Sequence, residues 1–510
     1  MKKTWMMFAA ICCCMMMIGC SDNDVTDNPK PEDMADYTII FYGYGGETLD
    51  YSIVNNMEAF FGAEKGSYDK VKIAAQYKFS STDDMLETLD SHVDEEDEEY
   101  DVLADMAEKV GGQTVRFVVD PKISSDEVKE KILKNEACFY GEEDCHITDV
   151  DSLTNFINWA TKACPAKHYI LIVSDHGGGY QPNDDKPFAT KGVVYDDHDG
   201  QTENFTVTSL KYAIGRANAR MEVIYFDACL MNTIEYQFEL KDLTDYYVLS
   251  TFTVPGEGGC YDVLIDQLAE HGDDIETALT NFNKKTVDYW DETLSGDEEN
   301  PDYDYHDMTI TRTSGLAAFG VKMREFVNRL VEAYADPEKK AKIDNCTEYA
   351  FKVNDVRPNY DMVDYAVSIC NALPEVFDDA LYNQLATTFN ACIVSQQCSD
   401  FIEAHDLMVD CSVMLAVKGN YYTYIYNTDD PPTLKGYLVY CADGKLEAYK
   451  AGITGPYKVL DWGSTLAATY QQLAFDKATG WSRWLLLNEQ LPCTVSLAEL
   501  HYALPEDEED

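Results

Sequence analysis

Basic residues are scarce in this chain. Its 510 residues hold 39 lysines and arginines against 92 aspartates and glutamates, for a formal charge of −53. Such a surface repels phosphate backbones and anionic lipid headgroups, which excludes nucleic acid as a partner and excludes membrane binding by charge. It attracts cationic peptides, and it also keeps a secreted protein soluble. Long apolar runs are missing after residue 18. Nothing later approaches the roughly 20 apolar residues of a membrane-spanning helix. No CxxC pair occurs among the 16 cysteines, which argues against a thiolate zinc site. No internal repeat is present, so a solenoid is excluded. The carboxylate run Asp94–Glu99 lacks the alternating ligands and the bend of an EF-hand loop. It reads as a solvated face, and calcium is not assignable from it.

What is present first is an export signal. Lys2 and Lys3 precede the apolar run Trp5–Ile18, and Met17-Ile18-Gly19-Cys20 follows. This resembles a bacterial lipobox, which implies lipidation of Cys20. Ser21-Asp22-Asn23-Asp24 resembles the surface-export signal of Bacteroidetes lipoproteins. The expectation is an exported chain held at the outer membrane or cell surface by lipid alone. Residues 21–36, with Pro29 and Pro31, read as an acidic tether. Setting aside Cys12, Cys13, Cys14, Cys20 and one nucleophile candidate leaves eleven cysteines, an odd number, so at least one stays unpaired. Cys138 with Cys145, and Cys392 with Cys398, are the nearest local disulfide candidates.

Two stretches share a design that points to chemistry. Val223-Ile224-Tyr225-Phe226 is a buried-strand run that ends at Asp227-Ala228-Cys229, after which Leu230, Ile234 and Phe238 fall at helical spacing. Tyr169–Ser174 is a second buried strand, ending at Asp175-His176-Gly177-Gly178-Gly179. Ligand-binding and catalytic groups of open α/β sheets sit at the carboxyl ends of strands. A Cys there faces a helix start that favours thiolate, and a His at the next strand end can serve as its base. The glycines let backbone approach closely and present N–H groups. Both residues end their strands in turn chemistry, which separates them from ordinary core Cys and His.

His176-Gly177 and Asp227-Ala228-Cys229-Leu230-Met231, with Glu235 on the following helix, are similar to the clostripain family of cysteine peptidases. These are caspase-like enzymes. The resemblance runs in element order from about Tyr37 to Tyr261, and returns loosely at Tyr360–Asp364 and Ala478–Leu485. It implies Cys229 as nucleophile, His176 as its proton-transfer partner, and the Gly177 and Cys229 N–H groups as oxyanion hole. No third acid is implied, and Asp175 reads as structural, because neighbouring strand residues face opposite ways. Asp227 matches a pocket acid that pairs Arg or Lys before the scissile bond; its other reading is a cap for the next helix. Relatives carry a cleft-lining loop after the next strand. Here Ser250, Pro255 and Gly256 match it, Phe252 stands where an acid is usual, and Glu257 or Asp262 is the substitute. The long loop after His176 offers Lys191 first and Lys186 second as self-processing sites.

Strands alternate with helical patterns from 37 to 265, which predicts an α/β fold: a mostly parallel caspase-like sheet with helices on both faces. Residues 80–112 read as an acidic insertion, 180–205 as a polar loop, and 266–410 as helices with loops. Residues 411–460 return to strand signals. The expected organisation is signal 1–20, tether 21–36, catalytic domain 37–290, and a helical and β-rich region 291–510 that completes or flanks the sheet. Trp481 and Trp484 are expected to cover a core edge. The implied function is a cysteine endopeptidase cleaving after basic residues, Arg over Lys, as a monomer and without a required cofactor. The alternative is a surface binding protein that keeps the fold without turnover.

Overall fold

The computed structural model describes residues 34–488, apart from 47–48, 94–97, 125–126, 128–139, 144–145, 183–189, 199–200, 297–303, 354–358, 416–421, 428–433, 441–445, 450–456 and 460–469. The signal, Cys20, nearly all of the tether, Lys186, Cys138 and Cys145 lie outside the described residues.

The central sheet is assembled from β1 (Ala35–Tyr44), β2 (Val71–Lys78), β3 (Gln113–Val118), β4 (Tyr140–Glu143) and β5 (Ala166–Ser174) in the first part of the chain. A small sheet of β6 (Gly177–Pro182), β7 (Thr190–His198) and β8 (Gln201–Phe205) follows. Then come β9 (Val223–Asp227), β10 (Tyr246–Leu249), β11 (Asp307–Arg312), β12 (Asn359–Asp361), β13 (Ile393–Cys398) and β14 (Ser412–Met414). Among the described residues the main sheet has nine strands in the order β13-β11-β10-β9-β5-β1-β2-β3-β4. The inner five, β10 to β2, are parallel. The two strands at each edge run antiparallel.

The inner strands are apolar throughout because both of their faces are covered, as parallel sheets require. Period-two alternation divides them between two cores. Ile40, Tyr42, Leu171, Val173, Ile224 and Phe226 pack on one face. Ile39, Phe41, Ile170, Ile172, Val223 and Tyr225 pack on the other. Each such side chain contributes roughly 1.5–3 kcal/mol on burial. The chain leaves β1 toward β2 and later returns to place β5 on β1's other side. The sheet therefore has a switch point between β1 and β5, which opens a crevice at their carboxyl ends.

Several sequence expectations need correction. The acidic insertion at 80–112 contains two helices, Thr82–His92 and Glu98–Val110. Met85, Leu89, Leu103, Met106, Ala107 and Val110 are buried on them at helical spacing, while the acids face outward. The polar loop at 180–205 holds β7 and β8, so Lys191 sits in a strand, paired with Gln181. The buried ion pair Lys78 Nζ–Asp196 Oδ1, 2.7 Å, fastens β7 to the end of β2, and Asp196 also accepts the Ile147 N–H at 3.1 Å. The region 266–410 supplies β11 and β13 to the main sheet, so the sheet draws on chain from both sides of residue 290. Asp149 caps the helix Val150–Ala163, its side chain accepting the Asp151 N–H. Cys392 and Cys398 are both thiols. They flank the strand Ile393–Cys398, whose length of roughly 20 Å far exceeds the Cα separation of a disulfide. Trp481 and Trp484 lie wholly inside the core, and Trp481 Nε1 donates to Met414 O at 2.9 Å. Farther along, four strands within 422–459 form a separate antiparallel sheet.

Candidate active site

Cys229 and His176 line one cleft of about 500 Å³ at the carboxyl ends of the inner strands. Each strand supplies a piece: Tyr44 from β1, Asp175 and His176 from β5, Asp227 and Cys229 from β9, and Val254 and Gly256 from the loop after β10.

The loop bearing His176 is fixed by its backbone. The Asp175 carboxylate accepts the Tyr195 N–H at 2.6 Å, which supports the structural reading of this acid. The His176 carbonyl accepts from Val194 N at 3.3 Å. Val194 is held at φ 61°, a left-handed conformation unusual for a β-branched residue. Gly177 then passes directly over Cys229. A Cβ at position 177 would collide with the Cys229 carbonyl oxygen and lie 2.8 Å from its nitrogen. One at Gly179, where φ is +59°, would lie 2.5 Å from the Leu230 carbonyl oxygen. The glycines thus serve first to let the two loops touch.

The half-buried Cys229 ends in a turn rather than a helix. Leu230 is left-handed at φ 64°, and the helix Ile234–Leu240 begins four residues later with Thr233 as its N-cap. This corrects two expectations. The following helix does not begin at the sulfur, and Asp227 cannot be that helix's cap. Instead, the Val254 backbone N–H points at Cys229 Sγ from 3.3 Å. The turn is braced by Leu230 N to Phe252 O at 2.9 Å and Asn232 N to Ser250 O at 2.8 Å. Ser412 N to Asn232 O, 2.9 Å, ties it to β14.

Asp227 is 4% exposed. It shares a strand face with Tyr225, whose hydroxyl donates to it at 3.0 Å, and the Tyr261 hydroxyl donates to its other oxygen. Burial pushes its carboxyl above the ordinary range, and these two hydroxyls pull the other way.

The remaining loop residues fall differently from expectation. Ser250 is buried, with its hydroxyl on Asp307 at 2.8 Å and its side chain away from the cleft. Asp307 also accepts Thr251 N at 2.8 Å and Phe252 N at 3.0 Å, so it shapes the loop that carries Val254. Burial raises the Asp307 carboxyl as well, against those donors. Phe252 packs with Leu230, Val353, Ile402 and Val409. Glu257 is exposed and absent from the cleft wall, although Gly256 and Gly258 on either side line it. Asp262 lies against Gly62 on another surface. Neither acid replaces one at 252.

The family description "Clostripain family" matches residues 74–448, well over half of the chain. The chain belongs to the clostripain family. Clostripain of Hathewaya histolytica is 24% identical over 228 residues, which are 39% of this chain and 41% of that relative. The match therefore spans less than half the length of that curated relative. Two solved structures share the fold. One is a secreted C11 cysteine protease from Bacteroides thetaiotaomicron in complex with an irreversible peptide inhibitor, at TM-score 0.52 and 13% identity, covering 88% of this chain and 99% of that one. The other, "iotapain" of the same organism, gives TM-score 0.52, 14% identity, and the same 88% and 99%. The caspase-like α/β class is thereby established for this clostripain-family chain.

Sequence reasoning missed Val254, Asp307, Tyr261 and Asn56. Tyr225 was within reach, since it lies two residues before Asp227 on the same strand face. The other four come from separate elements and carry no local signature.

Proposed function

We propose that this clostripain-family chain is a cysteine endopeptidase that cleaves after basic residues, Arg ahead of Lys, through a Cys229–His176 dyad. The observation carrying this reading is the convergence of Cys229, His176 and the buried Asp227 on one cleft. Cys229 sulfur, as thiolate, attacks the scissile carbonyl carbon. The oxyanion that forms is held by the Gly177 and Cys229 N–H groups, whose backbones are in contact. His176 gives its proton to the leaving amine, and the C–N bond breaks to leave a thioester. His176 then takes a proton from water, hydroxide adds to the thioester, and the acid product departs with the sulfur again as thiolate. The Val254 N–H stabilises negative charge on Sγ in both resting stages. No cofactor enters these steps.

A cationic side chain before the scissile bond would pair with Asp227 and hold it ionised. Arg gains more than Lys because its planar fork matches a carboxylate. The chain's substrates are proteins or peptides, and it works as a monomer. Self-processing is assigned to Lys191 or Lys186. Cutting at Lys191 requires its pairing with Gln181 to open first. The chain acts outside the cell, held by lipid on Cys20. No described helix is long and apolar enough to cross a membrane.

The test is hydrolysis of fluorogenic peptides by wild type, Cys229→Ala and His176→Ala. Each variant should lose at least about a thousandfold in kcat/KM, with a melting temperature near that of wild type. Wild-type turnover in either variant defeats the dyad.

A further inference from the structure

We propose that Asn56 is a specificity-determining residue of the same cleft: its side-chain amide oxygen takes one N–H of a bound guanidinium while Asp227 takes the charge. The inference rests on the basic-residue reading above.

Asn56 lies on the helix Asp50–Ala59, which follows the exit loop of β1. Its side chain lines the cleft with Cys229 and His176. It is 3% exposed, and its Oδ1 has no hydrogen-bond partner among the described residues. A buried amide oxygen left unmade costs about 1–3 kcal/mol. Such an atom inside a cleft is completed by what the cleft binds.

The position of Gly258 says where that ligand atom goes. This glycine is at φ +65°, and a Cβ built on it would lie 2.6 Å from Asp227 Oδ2, 3.1 Å from Asn56 Oδ1 and 3.2 Å from Asn56 Nδ2. Asp227 and Asn56 thus face one small volume, which the missing side chain leaves open. Each Asp227 oxygen already accepts one tyrosine hydroxyl. A guanidinium brings five donors in a fixed plane, more than the remaining carboxylate lone pairs can take. The neutral oxygen of Asn56 accepts a further one without adding a second buried charge. Two carboxylates at this spacing would raise each other's pKa and weaken the charge that binds the cation. An ammonium, compact and with three donors, gains less from a second acceptor set at an angle to the first.

The experiment compares three peptides that differ only at the residue before the scissile bond: Arg, Lys and citrulline, the neutral isostere of Arg. Each is run with wild type, Asn56→Ala and Asn56→Gln. Asn56→Ala should lower kcat/KM on the Arg peptide by about ten- to a hundredfold, the range for a hydrogen bond to a charged group. Lys should lose less, and citrulline less again. Inactivation of Cys229 by iodoacetamide should keep its wild-type rate, which reports an intact nucleophile. Asn56→Gln keeps a neutral amide oxygen and should return the Arg-to-citrulline ratio toward that of wild type, so a poorly folded alanine variant does not decide the matter. An unchanged ratio in Asn56→Ala, or the same loss on all three peptides with normal alkylation, overturns the role of Asn56 alone. If wild type shows no preference for Arg or Lys over citrulline, the basic-residue reading itself falls, and this inference with it.

Discussion

Gly177 serves the site through the side chain it lacks. It lies against the Cys229 backbone, where a Cβ has no room. Gly177→Ala should therefore force the two catalytic loops apart, lowering stability by about 1–3 kcal/mol as in overpacked interiors. Peptide turnover should drop much further than stability, because a misplacement on the scale of 1 Å costs about a hundredfold in rate. Turnover within about twofold of wild type, with an unchanged melting temperature, would show that the loops can part without consequence. Cys229, His176 and Gly177 were legible in the sequence because each follows an apolar strand run and is bounded by turn residues. Ser250 and Glu257 were expected to meet substrate because relatives line the substrate cleft with this loop. The sequence could not show that Asp307, on β11, takes the Ser250 hydroxyl, or that Glu257 turns outward between two cleft-lining glycines. Asn56 reaches the cleft, and Tyr261 reaches Asp227, from helices whose own patterns are those of ordinary packing.

At the level of elements, the inner strands were readable because burial on both faces demands continuous apolar runs. The antiparallel strands β11 and β13 were not. Met308 and Ile310 alternate with Thr309 and Thr311, and Gln396 and Gln397 break the pattern of β13, so neither reads as the core strand it joins. The helix Ile234–Leu240 was foreseen, although it starts later than expected. Its Glu235 is fully buried. It accepts the Tyr470 hydroxyl at 2.5 Å and Met414 N at 3.0 Å, with Tyr180 and Cys411 close by as further titratable groups. Burial pushes its carboxyl up to about 7, against those donors. The folded state therefore keeps a proton that the unfolded chain releases near the ordinary glutamate value. Stability from this residue is full in acid, declines as pH rises through the interval between the two values, and levels off above about 7. Glu235→Gln removes that dependence. Relative to wild type, the variant should gain up to about 3 kcal/mol at pH 8 and nothing near pH 4. Denaturant melts of both proteins at the two pH values measure this. A constant difference would mean that burial does not move Glu235 from its unfolded value.

For the whole molecule, charge and anchoring belong to one argument. A chain at −53 is repelled by anionic headgroups, and repulsion acts within about a Debye length, ~8 Å at physiological salt. Among the described residues no helix offers an apolar span to counter it. With the lipid proposed above on Cys20, retention at a membrane would depend on its acyl chains, each buried methylene contributing about 0.8 kcal/mol. The acidic residues 21–36 would then set the distance between the folded part and the surface. Because charge opposes the contact, a high-salt wash should leave the wild-type protein in the membrane fraction, where a protein held by basic patches would be released. Cys20→Ala should move the protein out of that fraction and should take up no palmitate analogue in metabolic labelling. Its kcat/KM on a soluble peptide should stay the same, since the cleft is built from strands that begin at Ala35. Equal labelling of the two proteins, or release of wild type by salt, would remove the lipid from the account and leave the N-terminal segment as a signal for secretion alone.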